Sequence, residues 1–328
     1  MKRWAFTALS FIVVIGVSVY AVKTSAPSGI DLAIPPLAHA LALVAFAVDI
    51  SGRSLKMVFS ARAVGTRLHF FTAMRAGLGG DFGAALTPSR AGAEPARYLI
   101  LAESGVQGPA LLIVLYTELF FEMISLVIVA TLMVLLFDAP RAAVLTMTGI
   151  LGAYSATILG IAAAGWLLAR RNPGSEPAPW ARRLRITGAR WAFLLRWVER
   201  VRVTVHSFRL MRRGWGAASC AASVVHVAAR FTTLPILVLV TANVDVPLGP
   251  LLLWPFSLLY GGAVVPAPGG GGAVELAFRA ALGGAIPAAA FAAALVWWRF
   301  YTFYLYIGLG ALVAGKSALR AIRHTTER

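Results

Sequence analysis

Cysteine is nearly absent from this chain. Cys220 stands alone among 328 residues, which excludes an intrachain disulfide and any zinc site built on thiolates. The histidines (His39, His69, His206, His226 and His324) never come closer than 20 positions, so nothing has metal-ligand spacing. Acidic residues are few, 13 against 30 basic ones, and they are scattered. Metal-assisted chemistry on a phosphate gathers carboxylates or a positioned histidine, and no Asp-rich motif is present. Lysine is scarce as well: Lys2, Lys23, Lys56 and Lys316 leave 30 − 4 = 26 arginines. The glycine run at 269–272 is not followed by Gly-Lys-Ser/Thr, so no nucleotide-binding loop is encoded. Charge itself is short, 13% of residues where soluble domains carry about 25%.

What remains is apolar. The chain is 59% hydrophobic with a mean hydropathy of +0.78, the composition of an integral membrane protein in one domain. Its start, "MKRWAFTALSFIVVIGVSVYAV", has the charge of a signal peptide, but the apolar run exceeds a signal core of roughly 7–15 residues. It reads as a retained span.

Six stretches are long enough to cross: 4–22, 34–51, 109–137, 142–169, 216–242 and 288–314. Basic residues set the orientation. Lys2 and Arg3 precede the first stretch, and Arg53, Lys56, Arg62 and Arg67 follow the second. Residues 170–213 hold 12 arginines against Glu176 and Glu199, or 12 − 2 = +10 of the formal +17. The opposite ends, such as "DAPR" and "NVDVPLG", are poor in base. Both termini and the arginine-rich loop are therefore expected on the cytoplasmic side.

That topology leaves 57–108 and 249–287 each beginning and ending on one side. Both are apolar, and both are interrupted, by "TPSRAG" and by "PAPGGGG". The expected architecture is all-α and polytopic: about six spans plus two oppositely oriented re-entrant helical hairpins. Surface loops, or pairs of ordinary spans, are the competing reading. Within 180–213, Leu184, Trp191, Leu194, Val198, Val201, Val205 and Phe208 recur at three- and four-residue steps opposite arginines. That spacing predicts an interfacial amphipathic helix, suited to anionic lipid.

Several charges fall where hydrocarbon is expected, each costing about 2.5–3.5 kcal/mol unless paired or facing a cavity. Glu118 and Glu122 are four apart on one helix face, as are His226 and Arg230. Glu275 and Arg279 lie in the second hairpin and Arg299 in the last span. Arg230, Arg299, Arg90 and Arg97 are the candidate partners for Glu118 and Glu122. Ion pairs that merely fix helix register would leave the same pattern. In "GGDFGAALTPSRAGAEPARYLIL" (79–101), glycines and prolines punctuate Asp81, Arg90, Glu94 and Arg97. Thr87-Pro88 and Glu94-Pro95 read as helix starts, and free backbone N–H groups beside guanidinium make an anion site. Gly92, Gly269, Gly270 and Gly271 are its candidate backbone members.

These segments resemble a known family. "LTPSRAGAEPARYLIL", "TELFFEMISLVIV", "PAPGGGGAVELAF" and "WWRFYTFYLYIGLGALV" are similar, in order, to motifs of the flippase-like proteins related to the transmembrane region of lysylphosphatidylglycerol synthases. By position Arg90, Gly92, Glu94, Arg97, Glu118, Gly269, Gly270, Glu275 and Arg299 carry the pattern. Leu119 and Glu122 depart from it, which directs the search for a charge partner elsewhere, to Arg230. The resemblance implies a bacterial inner-membrane protein that moves a lipid or lipid-linked headgroup between leaflets. The chain stops at Arg328, so a soluble aminoacyl-transferase domain is not expected, and no enzyme activity follows. The expected partners are membrane lipids, anionic or phosphate-bearing, with no nucleic acid and no cofactor. A small-solute transporter, or an accessory subunit docking a second copy or an envelope assembly, is the alternative function.

Overall fold

The computed structural model describes residues 32–87, 90–106, 108–138, 140–170, 187–242, 246–262 and 272–314, with Gly16, Val19, Tyr20, Lys23 and Arg183 besides. Apart from Gly16, Val19 and Tyr20, the first expected span, 4–22, lies outside these, as do the glycines 269–271. Every regular element among the described residues is helical: α1 (Pro36–Ala63), α2 (Phe70–Leu86), α3 (Ala93–Glu103), α4 (Gly108–Leu136), α5 (Arg141–Arg170), α6 (Gly188–Arg209), α7 (Arg213–Ala242), α8 (Leu248–Gly261), α9 (Ala273–Leu282) and α10 (Ala288–Arg299). α10 runs on through a π turn, Phe300–Tyr304, to residue 314. Ala110–Leu136, Arg141–Leu167 and Arg213–Ala242 are long and apolar enough to cross a membrane.

α1 does not end with the apolar run at 51. It continues to Ala63 and carries Asp49, Arg53 and Lys56 on one face, so the first interrupted segment begins at Phe70 rather than 57. α1 continues because α7 lies against it through small residues. A Cβ at Gly52 would stand 2.7 Å from the His226 Cβ, Ser60 and Ser219 share a hydrogen bond of 2.8 Å, and Ser219 donates to the Lys56 carbonyl at 3.0 Å. Small residues at such a seam let two backbones approach. The expected amphipathic helix over 180–213 is described as α6, Gly188–Arg209.

Glycines 79, 80 and 83 do not break the chain; they sit inside α2. They form the seam on which α3 lies. A Cβ at Gly83 would meet the Gly92 carbonyl oxygen at 2.5 Å, and one at Gly80 would meet Arg97 Cγ at 2.6 Å. The interruption comes later. Thr87 ends α2 in an extended conformation (φ −124°, ψ 143°), which a residue before proline favours. Thr87 is thus a helix end, not a start. Its hydroxyl donates to the Gly83 carbonyl at 2.9 Å and accepts the Gly92 N–H at 2.7 Å, closing the corner.

Two clusters anchor the interrupted segments at opposite ends of α1. Leu68, Ala73, Ile100 and Leu101 pack with Met57, Ala61 and Ala314. Leu251, Leu282 and Ile286 pack with Ala42, Leu234 and Val238. Residues 42 and 61 stand roughly 28 Å apart along a helix rising 1.5 Å per residue. Residues of both segments line one cavity.

Candidate functional site

Between them lies a cavity of ≈ 570 Å³, lined by Arg90, Ala93 and Glu94 of the first segment and by Tyr260, Gly262 and Val274 of the second. α1, α4, α7 and the last helix complete the wall with Arg53, Lys56, Glu118, Glu122, His226, Arg230 and Arg299, and α5 adds Tyr154 and Thr157. Ionised groups at such depth need partners, and nearly all of them have one.

Around Lys56 the charges interlock. Its ammonium reaches Glu122 at 2.8 Å and Glu118 at 3.0 Å, with the side chain 1% exposed. Arg97 binds Glu118 with one nitrogen and Glu94 with another, the latter at 2.9 Å. Tyr260 donates to Glu122 at 3.2 Å. The i, i+4 spacing of Glu118 and Glu122 thus turns both toward a lysine on α1, not toward Arg230, Arg299 or Arg90.

A second group centres on Asp49, which is wholly buried. It accepts from His226 Nδ1 at 3.0 Å and from the Tyr306 hydroxyl. Arg230 Nε stands 3.3 Å from it, within ion-pair distance but out of line for a hydrogen bond. Arg230 also lies over the Tyr306 ring at 5.0 Å. One α-helical turn along α1, Arg53 binds Asp81 at 2.7 Å.

Arg299 forms a third pair. Its Nε donates to Glu275 at 2.8 Å, and the other Glu275 oxygen accepts the N–H of Gly272 at 2.7 Å. Gly272 has φ +77°, a conformation open to glycine at little cost. Glu275 therefore fixes the start of α9 to the last helix. Buried Arg299 Nη2 and Arg97 Nε have no acceptor among the described residues.

Arg90 and Glu94 differ from all of these. Arg90 has φ +57°, its side chain is 38% exposed, and its ion pair, with Asp81, is 3.7 Å long. Glu94 is 45% exposed and holds Arg97 with one oxygen while the other has no donor among the described residues.

The structure thus gathers Arg90, Glu94, Arg97, Glu118, Glu122, Arg230 and Arg299 around one cavity, with Glu275 directly behind Arg299. Gly92 stands at the corner, its N–H held by Thr87. Gly269, Gly270 and Gly271 fall outside the described residues. Sequence reading did not single out Asp49, Arg53, Lys56, Tyr260 or Tyr306. The signal for the first three was their i, i+4, i+7 spacing, visible only once α1 is carried past its apolar run. Arg53 and Lys56 had been read as topology markers.

A family model described as the lysylphosphatidylglycerol synthase TM region matches residues 7–310. No curated protein matches the chain.

Proposed function

The chain belongs to the family of the lysylphosphatidylglycerol synthase transmembrane region, and on that premise we propose that it moves a phosphate-bearing lipid headgroup between the two leaflets through the charged cavity. One observation supports this above the others. Every other cation of the cavity has a carboxylate within 3.3 Å, whereas Arg90 is held at 3.7 Å and is the most exposed. A phosphate that pairs with this guanidinium, through two parallel hydrogen bonds, displaces little. Arg97 and Arg299, each with a buried N–H lacking an acceptor among the described residues, are the next donors along the wall.

In this reading the two interrupted segments are re-entrant hairpins entering from opposite faces. Non-helical backbone at membrane depth is tolerated where protein or a wet cavity shelters it, and paired broken helices flank substrate sites in transporters. Glu118 and Glu122 balance Lys56 and Arg97 while no headgroup is bound. The termini and the arginine-rich stretch face the cytoplasm of a bacterial inner membrane, where α6 gathers anionic lipid at the interface. Transport rather than catalysis is favoured because the carboxylates are held by ammonium and guanidinium groups.

The test uses purified protein in liposomes carrying an acyl-labelled anionic phospholipid, read by the rate at which a membrane-impermeant reductant reaches the label. Wild type is expected to exceed protein-free liposomes, Arg90→Ala to lose at least about tenfold of that rate, and Arg90→Lys to fall between, since an ammonium replaces a two-pronged contact with a point charge. Equal rates for wild type and Arg90→Ala remove the proposed site. A wild-type rate no higher than protein-free liposomes removes the function.

A further inference from the structure

The cavity's charges balance. Arg53, Lys56, Arg90, Arg97, Arg230 and Arg299 face Asp81, Glu94, Glu118 and Glu122, with Asp49 and Glu275 directly behind. Counted among the described residues this is six cations against six carboxylates. An anionic headgroup entering such a site brings one uncompensated negative charge into a medium where charge is costly. Something must neutralise it.

His226 is the group placed to do so. It lines the cavity, is 1% exposed, and its backbone is fixed by the close approach of Gly52. A carboxylate only accepts, so the bond to Asp49 places a hydrogen on Nδ1. In the neutral ring Nε2 is then a bare lone pair, buried and without a partner among the described residues. A proton arriving there adds one positive charge to the wall, and its N–H, without an acceptor among the described residues, is free for a phosphate oxygen. The surroundings bear on this proton from every side. Asp49 on α1 holds the other ring nitrogen and is shared with Tyr306 of the last helix, while Arg53 and Lys56 on α1, Glu122 on α4 and Arg230 on α7 line the same cavity. A headgroup's negative charge beside Nε2 favours the protonated ring. By linkage, each ligand then strengthens the other's binding.

We propose that His226 carries one proton with each anionic headgroup, making the movement an electroneutral proton–lipid symport; this rests on the translocation reading above. The step balances: one proton taken up at Nε2 and one negative headgroup move in the same direction, the proton leaves with the headgroup, and the cavity returns neutral.

Proteoliposomes holding the full chain, acyl-labelled phosphatidylglycerol and an internal pH dye test it. A transmembrane pH difference should drive the label toward the alkaline side, with a leaflet ratio approaching about tenfold per pH unit for one proton per lipid, and the dye should report proton entry that depends on the lipid. A potassium diffusion potential alone should shift neither. In His226→Gln, which keeps an N–H for Asp49 but has no proton-accepting nitrogen, the leaflet ratio should return to one. Label movement in wild type that ignores the pH difference, or follows the electrical potential instead, overturns the symport while leaving translocation standing. A His226→Gln response equal to wild type overturns the role of that residue. If wild type moves no label at all, both readings fall together. The wild-type dye signal needs no variant, so misfolding of His226→Gln does not protect the proposal.

Discussion

The face of α1 and the corner between α2 and α3 both put charge into an apolar protein, and they do so in opposite ways. Asp49, Arg53 and Lys56 project from the middle of a 28-residue helix and are met by partners from α2, α4, α7 and the last helix. Arg90 and Glu94 flank an interruption and stand partly open, Arg90 in a long ion pair and Glu94 with one oxygen unpartnered among the described residues. The first arrangement cannot lose a member without stranding a buried charge. The second can exchange partners. A carrier of a charged headgroup needs both, a fixed electrostatic frame and a corner that lets go.

The sharpest way to break this comparison is at Lys56. Lys56→Met leaves Glu118 with Arg97 alone and Glu122 with no cation in contact among the described residues. Removing one member of a buried pair costs about 3–5 kcal/mol. The expected outcome is loss of monodisperse protein in detergent, or a fall in melting temperature larger than that of any variant at the corner. Adding Glu122→Gln to Lys56→Met should recover part of the loss, since the stranded charge is gone. If Lys56→Met melts like Arg90→Ala, the frame and the corner are not different in kind.

Glycine offers the next test, smaller in size. Gly83 and Gly152 both lie inside helices, but a Cβ at Gly83 meets the Gly92 carbonyl oxygen at 2.5 Å, while one at Gly152 meets nothing within 4 Å. Gly83→Ala should destabilise by about 1–3 kcal/mol, the range for overpacking. Gly152→Ala should stabilise by up to about 1 kcal/mol through helix propensity. Opposite signs in thermal melts confirm that the α2 glycines serve close packing; equal signs return them to the role of chain breakers.

The same contrast explains what could be read in advance. An all-helical chain was legible because long apolar runs have few alternatives, and the interruption near 87–92 was legible because Thr-Pro and clustered charge violate the pattern around them. The frame was hidden by the reasoning that found the spans. A hydropathy reading ends a span where charge begins, so it stopped α1 at 51 and assigned Arg53 and Lys56 to the membrane surface. Only tertiary contact with α4 and α7 reveals that the helix continues and that its charges are met. Glycine is ambiguous for the same reason: 79, 80 and 83 are breakers in isolation and a packing seam once α3 lies across them. The pairing of Glu118 and Glu122 with Lys56 joins residues more than 60 positions apart, which spacing along one helix cannot disclose.

Arg90 gives the smallest effect on stability and the most discriminating one. Its backbone sits at φ +57°, where a side chain costs about 1–3 kcal/mol that glycine escapes. Its ion pair, open and 3.7 Å long, returns about 0–1 kcal/mol. Stability alone therefore favours glycine at position 90, and the guanidinium is retained at a net cost. Arg90→Gly should melt within about 1 kcal/mol of wild type, or slightly above it, while its translocation rate falls as far as that of Arg90→Ala. A large loss of stability would mean that Arg90 belongs to the frame after all, its pairing with Asp81 structural. Unchanged translocation in a well-folded Arg90→Gly would mean that the corner releases nothing the headgroup uses.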